Sequence, residues 1–342
     1  MICDLETGLS RELDAEIGGR ASLRLQPRGD PFADAVRNHG DQPYDQRAVA
    51  RFAELIHHVA EQMGDLFTSL EKGASTELTI ARAVSQVGLS RVAEDMDLLV
   101  GMGITPSAGG YPSRHSLRVG MLAMSVGANL GWDEQTLLDL GVGCLLHDAG
   151  MLRVQRATYR NKRFLLSPEF AEVVKHPLLT FELLKKCADR VPDSARMVAY
   201  QMHERCDGSG YPRGYAADQI HALAKIAAVA DVFVALVSPR PHRPGLVPYH
   251  AMEKILQDTK NGLYDTEVIR ALLKTVSLFP IGSYVRLSDG RVARVIRAAG
   301  EQYDRPIVEI RQPADATAGP VVVDLSGRKD LRIAGVLPQP SY

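Results

Sequence analysis

The run "ALAKIAAVADVFVALV", residues 222–237, is apolar around its whole circumference when wound as a helix. A helix of that kind must be buried on every side. Past Lys225 at its start, it carries one charge, Asp231. An unpaired buried carboxylate costs several kcal/mol, so Asp231 must meet a cation, a metal or a strong donor. The chain is therefore held to a multilayered helical fold that delivers such a partner to the middle of a buried helix.

The same conflict recurs in "GVGCLLHDAG", residues 141–150, where His147 and Asp148 follow an apolar helix and should point inward. Each residue alone has an ordinary explanation. A buried histidine can donate to a carbonyl, and a buried aspartate can cap a helix. The set reads differently. His115, His147, Asp148, His176, His203 and Asp231 fall on separate predicted helices, mostly near helix ends. Imidazoles suit transition metals and carboxylates can bridge two ions, so the set suits a metal centre inside a bundle.

The remaining pattern sets the frame. Residues 1–45 are rich in Gly, Pro, Arg and Asp without a steady period, and are expected to form a poorly ordered arm or loose cover. In the helical region 46–100, Val49, Phe52, Ile56, Val59, Met63, Leu66 and Leu70 recur at steps of three and four. That seam fits first a helix packed in a bundle and second a dimer helix. His57 and His58 on it lack a partner at metal spacing and are expected at the surface. Residues 101–276 are almost wholly helical, with a helix opening near Ser113, another from Glu134 to Asp148, and a start at Ser167-Pro168. Residues 278–338 change texture. "GSYVRLSDGRVARVIRA" alternates around Asp289-Gly290, a hairpin signal, and two further strand-like runs follow. The expected fold is mainly α with a small C-terminal all-β module of the SH3-like barrel type.

Charge narrows the function. Forty basic residues oppose forty-one acidic ones, leaving a net charge of −1, so no basic excess marks a DNA or RNA binder. No apolar run approaches the roughly 20 residues of a membrane span. The acidic N-terminus lacks the basic start and apolar core of a secretory signal. The four cysteines are scattered and form no CxxC, which suits a reduced cytoplasm.

The motifs H-x-x-R at His115 to Arg118, "HD" at 147–148, "HP" at 176–177, "HERCDGSGYP" at 203–212 and "AD" at 230–231 resemble the HD-GYP domain, a branch of the HD phosphohydrolases. The resemblance covers residues 100–276. It implies a helical domain that holds two or sometimes three ions, often iron or manganese, and hydrolyses cyclic di-GMP with a metal-bound hydroxide. Carried over by residue, one ion would be held by His115, His147, Asp148 and Asp231. Asp148, the catalytic carboxylate, would bridge to a second held by His176 and His203. Arg118, Arg205, Arg240 and Arg243 would face substrate phosphates, and Gly208, Gly210, Tyr211 and Pro212 would form the loop against the ligand.

Four positions depart from that family's pattern. Met202 stands where the second ion usually has another histidine, and a thioether is a poor partner for a hard divalent ion. Met151 replaces a phosphate-facing lysine, Val234 replaces a second acid, and Tyr111 stands where a third ion would have its glutamate. Three readings are open: a cyclic di-GMP phosphodiesterase with one or two ions, the second held weakly; a degenerate module that senses a nucleotide or binds a protein through the GYP loop or β module; and a phosphohydrolase for another nucleotide. The heptad seam also permits a homodimer.

Overall fold

The computed structural model describes residues 29–72, 79–104, 111–154, 166–185, 191–240, 243–310 and 321–338. Ten helices are seen among them: α1 (Gln46–Glu71), α2 (Thr79–Ile104), α3 (Ser113–Asn129), α4 (Glu134–Leu146), α5 (Ser167–Val173), α6 (His176–Lys185), α7 (Asp193–Gln201), α8 (Ala222–Val237), α9 (Pro248–Lys260) and α10 (Thr266–Val276). A 3₁₀ turn, His147–Arg153, continues α4. No helix among the described residues is long and apolar enough to cross a membrane.

Helix α3 lies at the centre, with α2, α4 and α8 as its main neighbours. Its residues from Ser116 to Ala128 are all buried, including Gly127, where a Cβ would lie 2.5 Å from the Leu137 side chain of α4. The apolar helix α8 is buried from Ile226 to Ala230 and at Asp231, as its composition demands. The α1 seam is spent inside the chain. Phe52, Val59, Met63, Leu66 and Leu70 are buried against α2 and α3, while Val49 and Ile56 are half-buried and His57 and His58 exposed.

The C-terminal strands β1 (Tyr284–Leu287), β2 (Val292–Arg297), β3 (Ile307–Ile310), β4 (Val321–Asp324) and β5 (Ile333–Leu337) form one antiparallel sheet in the order β4-β3-β2-β1-β5. The β1–β2 hairpin turns at Gly290, whose φ of 89° is open to glycine without steric cost. Val285, Leu287, Ala293, Val295, Val308 and Ile310 fill a separate small core. The expected barrel is corrected in one respect: β4 and β5 remain sheet edges, so among the described residues the barrel does not close.

The two parts are joined by buried charge. Helix α2 breaks at Asp95, which adopts an extended conformation and accepts a hydrogen bond from the Leu98 amide at 3.0 Å. The same carboxylate receives a two-pronged bond from Arg297 of β2, at 2.9 and 3.1 Å. Asp97 approaches Arg297 at 3.5 Å, and the Tyr44 ring covers the guanidinium at 4.4 Å. Residues 1–28 of the expected N-terminal arm lie outside the described residues. From residue 29 the chain is a tied strap rather than a loose cover. The Phe32 and Arg37 amides bond Trp132 O and Ala93 O, the Gln42 carbonyl accepts from Arg297, and the Tyr44 hydroxyl donates to Ile296 O.

Candidate metal centre

Five chain segments deliver six side chains to one point. His115 comes from the first turn of α3, and His147 and Asp148 from the turn that follows α4. His176 opens α6, His203 follows α7 by two residues, and Asp231 stands in the middle of α8. Gly150 makes the assembly possible. A Cβ there would lie 2.1 Å from the His176 carbonyl and 2.6 Å from the Thr180 amide, so only glycine lets this turn abut α6. Thr180 locks the approach, donating to His147 O at 2.7 Å and accepting from the Gly150 amide at 2.8 Å.

His115, His147 and Asp148 form one group of candidate ligands, and Asp148, His176 and His203 form a second. Within each, the ligand atoms lie within 4.8 Å of one another. Asp148 is common to both, which is the geometry of a bridging carboxylate. Asp231 also spans them, with Oδ1 2.9 Å from His115 Nε2 and Oδ2 3.5 Å from His203 Nδ1.

The imidazoles are poised as ligands. His147 Nδ1 donates to Cys144 O at 2.7 Å and His176 Nδ1 to Val173 O at 2.8 Å. With Nδ1 so occupied, Nε2 is the nitrogen each ring presents to the centre. His176 Nε2 sits 2.9 Å from His203 Nε2. His147 Nε2 is buried without a well-formed hydrogen bond, although Asp148 Oδ2 lies 3.3 Å away. Burial, followed by the charge of His176, holds His203 well below the usual histidine range. Burial likewise lowers His176. These two are neutral, the form that binds metals.

The carboxyls behave oppositely. Burial pushes Asp231 up, but the His115 hydrogen bond and the surrounding imidazoles outweigh it and hold the group well below the ordinary carboxylate range. Burial and the neighbouring histidines act on Asp148 in the same way, with His147 the strongest partner. Burial alone would depress His147, yet Asp148 overrides it and lifts the imidazole to about 9. Two buried anions thus take their compensation from a proton on a histidine. A divalent cation would replace that proton. The donor set and the orphaned His147 Nε2 fit such an ion.

The loop after His203 is organised by a residue outside the candidate set, Glu204. Its carboxylate is buried and accepts from the Arg213, Gly214 and Tyr215 amides at 2.8, 3.0 and 3.0 Å. Gly208 has a φ of 81°, and a Cβ at Gly210 would lie 2.4 Å from the Glu204 Cα. The loop folds tightly onto its own start, and Tyr211 is laid over the centre. Its ring stacks on His203 at 5.0 Å and 14°, and meets His176 edge-on at 6.1 Å. Pro212 continues the turn. Tyr111 also reaches the centre. Its ring lies 5.8 Å from that of His115, and its hydroxyl bonds Asp148.

The expected arginines part company. Arg118 is buried and directs its donors to Gly103 O and to Ser238 Oγ. Arg205 bonds the carbonyls of Met202 and Glu204 and covers the Tyr264 ring at 5.3 Å. Arg243 caps the end of α8 through Ala235 O and Leu236 O. Arg240 is exposed, and its charge is felt at Tyr111 and Tyr211. Met151 is buried, and Met202 and Val234 are enclosed in the main apolar core.

The HD domain family matches residues 106–268. The cyclic di-GMP phosphodiesterase PA4108 of Pseudomonas aeruginosa is 34% identical over 238 residues, covering 68% of this chain and 56% of that protein. The 3'3'-cGAMP-specific phosphodiesterase 3 of Vibrio cholerae is 32% identical over 170 residues, covering 50% and 36%. The chain spans about half the length of the curated relatives it matches. In fold it is similar to Bd1817, an HDG"Y"P protein from Bdellovibrio bacteriovorus, with a TM-score of 0.56 and 17% identity over 71% of this chain and 75% of that one. With its histidines, two aspartates and GYP loop placed around one centre, the chain is a member of the HD-GYP family, and residues 106–268 are its HD domain.

Proposed function

We propose that the protein is a metal-dependent phosphodiesterase that hydrolyses a cyclic dinucleotide, with cyclic di-GMP its first candidate substrate. The observation that carries this reading is Asp148 standing between two groups of imidazole nitrogens, each compact enough to hold an ion. A mixed nitrogen and carboxylate donor set suits iron or manganese. When bound, such ions supply Lewis acidity and a nucleophile from water at neutral pH.

The chain's own residues do the rest. Asp148 and Asp231 hold negative charge opposite the incoming ions, and the carbonyls of Cys144 and Val173 fix the imidazole tautomers. The Tyr111 hydroxyl orients Asp148. The Tyr211 ring covers His203 and limits water on that side. Arg240, exposed beside both tyrosines, supplies the cation that draws in a phosphodiester. Cys144 and Cys206 are free thiols, which agrees with a site of action in the reducing cytoplasm.

A second reading has its own observation. Met151 and Met202 are buried apolar groups where a cation and a nitrogen ligand would strengthen the site. On that reading the domain binds the nucleotide without turning it over. The test is to load the purified protein with iron(II) or manganese and offer cyclic di-GMP, cyclic GMP-AMP and cyclic di-AMP while metal content is measured. Linearised product supports the phosphodiesterase. Tight nucleotide binding with no product from any metal form supports the sensor. Neither binding nor turnover by metal-loaded protein overturns both.

A further inference from the structure

Helix α5 buries none of its residues, yet it is tightly fixed. The Glu169 carboxylate accepts from the Leu166 amide at 2.8 Å at its start, and Val173 O at its end accepts from the metal-facing His176 at 2.8 Å. A short helix held against the centre with no core to serve has been placed for its outer face. That face carries Phe170, 49% exposed, and just before the helix stands its cap residue Leu166, 58% exposed; these are the highest exposures among the large apolar side chains described.

Phe170 is not an isolated surface aromatic. Its ring meets Tyr211 edge-on at 6.4 Å, and Tyr211 stacks on His203 at 5.0 Å. Two ring contacts therefore separate an open aromatic face from a candidate metal ligand. In a nucleotide, one ribose separates the phosphate from its base, a span of similar order. Two side chains are too small a patch for a stable protein interface, which takes roughly 1,000 Å² or more. They are the right size for one heterocycle.

Resting on the phosphodiesterase reading, we infer that Phe170, flanked by Leu166, is a stacking platform for one nucleobase of the substrate, making α5 a specificity element of the site. A base stacked on an aromatic side chain gains roughly ten-fold to a hundred-fold in affinity, and the gain tolerates different bases because every base has a π-face. The platform would thus select for a nucleotide diester over a simple one, while leaving the choice between guanine and adenine to other contacts.

The test uses the full chain loaded with manganese. F170A should raise KM for cyclic di-GMP about ten-fold or more, hold kcat within about two-fold, and leave inhibition by ribose 5-phosphate, a base-free probe, unchanged. F170W should restore KM, and its added indole emission should be quenched as calorimetry reports nucleotide saturation. An unchanged KM in F170A, an equal loss of ribose 5-phosphate binding, or unquenched emission at saturation each overturns the platform. If wild type turns over the dinucleotide and F170A matches it, only the platform falls. If wild type neither binds nor cleaves any cyclic dinucleotide, the functional reading falls with it.

Discussion

The candidate metal centre and the Arg297 junction each draw two carboxylates out of bulk solvent, and they neutralise them in different ways. At the junction, Asp95 and Asp97 share one arginine whose fork, ring cover and carbonyl partner are all in place. Arginine stays charged at any pH the protein meets, so that cluster is complete on its own. At the centre, Asp148 and Asp231 are met by imidazoles and the Tyr111 hydroxyl, and Asp148 lifts His147 to about 9, so a titratable ring balances them. A buried cluster with a permanent counter-ion is a structural joint. A buried cluster with only a titratable one is a place waiting for a cation.

The sharpest way to break that contrast is Asp231→Ala. It should remove the bound metal and lower turnover at least a thousand-fold, about 4 kcal/mol of transition-state stabilisation, while the protein still folds. Elemental analysis beside a turnover assay reads both, and full activity in this variant would end the metal reading. Arg297→Met should do the reverse. Buried Asp95 and half-buried Asp97 lose their cation, which costs about 3 kcal/mol in urea unfolding, while metal content per folded molecule stays unchanged.

Glu204→Ala probes the loop between those extremes. Three amides lose a charged acceptor, so exchange of the Arg213, Gly214 and Tyr215 amides should quicken and kcat/KM fall about ten-fold, with metal content retained. The smallest effect belongs to Asp97. Burial raises its carboxyl from 3.8 to about 6, against the pull of the Ala298 amide and Arg297. A raised folded value means its contribution is complete below the unfolded pKa and lost as pH rises through about 6. Asp97→Asn should therefore stabilise the protein by about 1 kcal/mol near pH 8, with solvent at the side chain limiting the gain, and change little near pH 4. A loss of stability near pH 8 instead would show that Asp97 is held as a charge.

The two regions also differ in how far they can be read without coordinates. Asp231 is conspicuous because everything around it on its helix is apolar, and His147-Asp148 stand out for the same reason. Glu204 is as buried and as consequential, yet it sits in a polar run where one more carboxylate raises no conflict. Asp95 and Arg297 are 202 residues apart and look like surface charges in their local sequence. Arg118, Arg205 and Arg243 are equally visible as cations, but nothing local says that they donate to backbone carbonyls and, for Arg118, to the Ser238 hydroxyl as well. The α1 seam is periodic whether it meets its own chain or a second copy, and strand signals do not say whether β4 and β5 meet.

Local sequence was enough for the helical body, the hairpin at Gly290 and the inward side chains that could not be left unpaired. All of these follow from local periodicity and from the cost of burying charge. Only the tertiary structure decided which distant groups answer them: Asp148 between two sets of imidazoles, Glu204 under the loop, Arg297 under Tyr44, Tyr211 over His203. Burial shows that a partner is required. Which partner arrives depends on the packing of helices and strands far apart in the chain, and no local pattern encodes that.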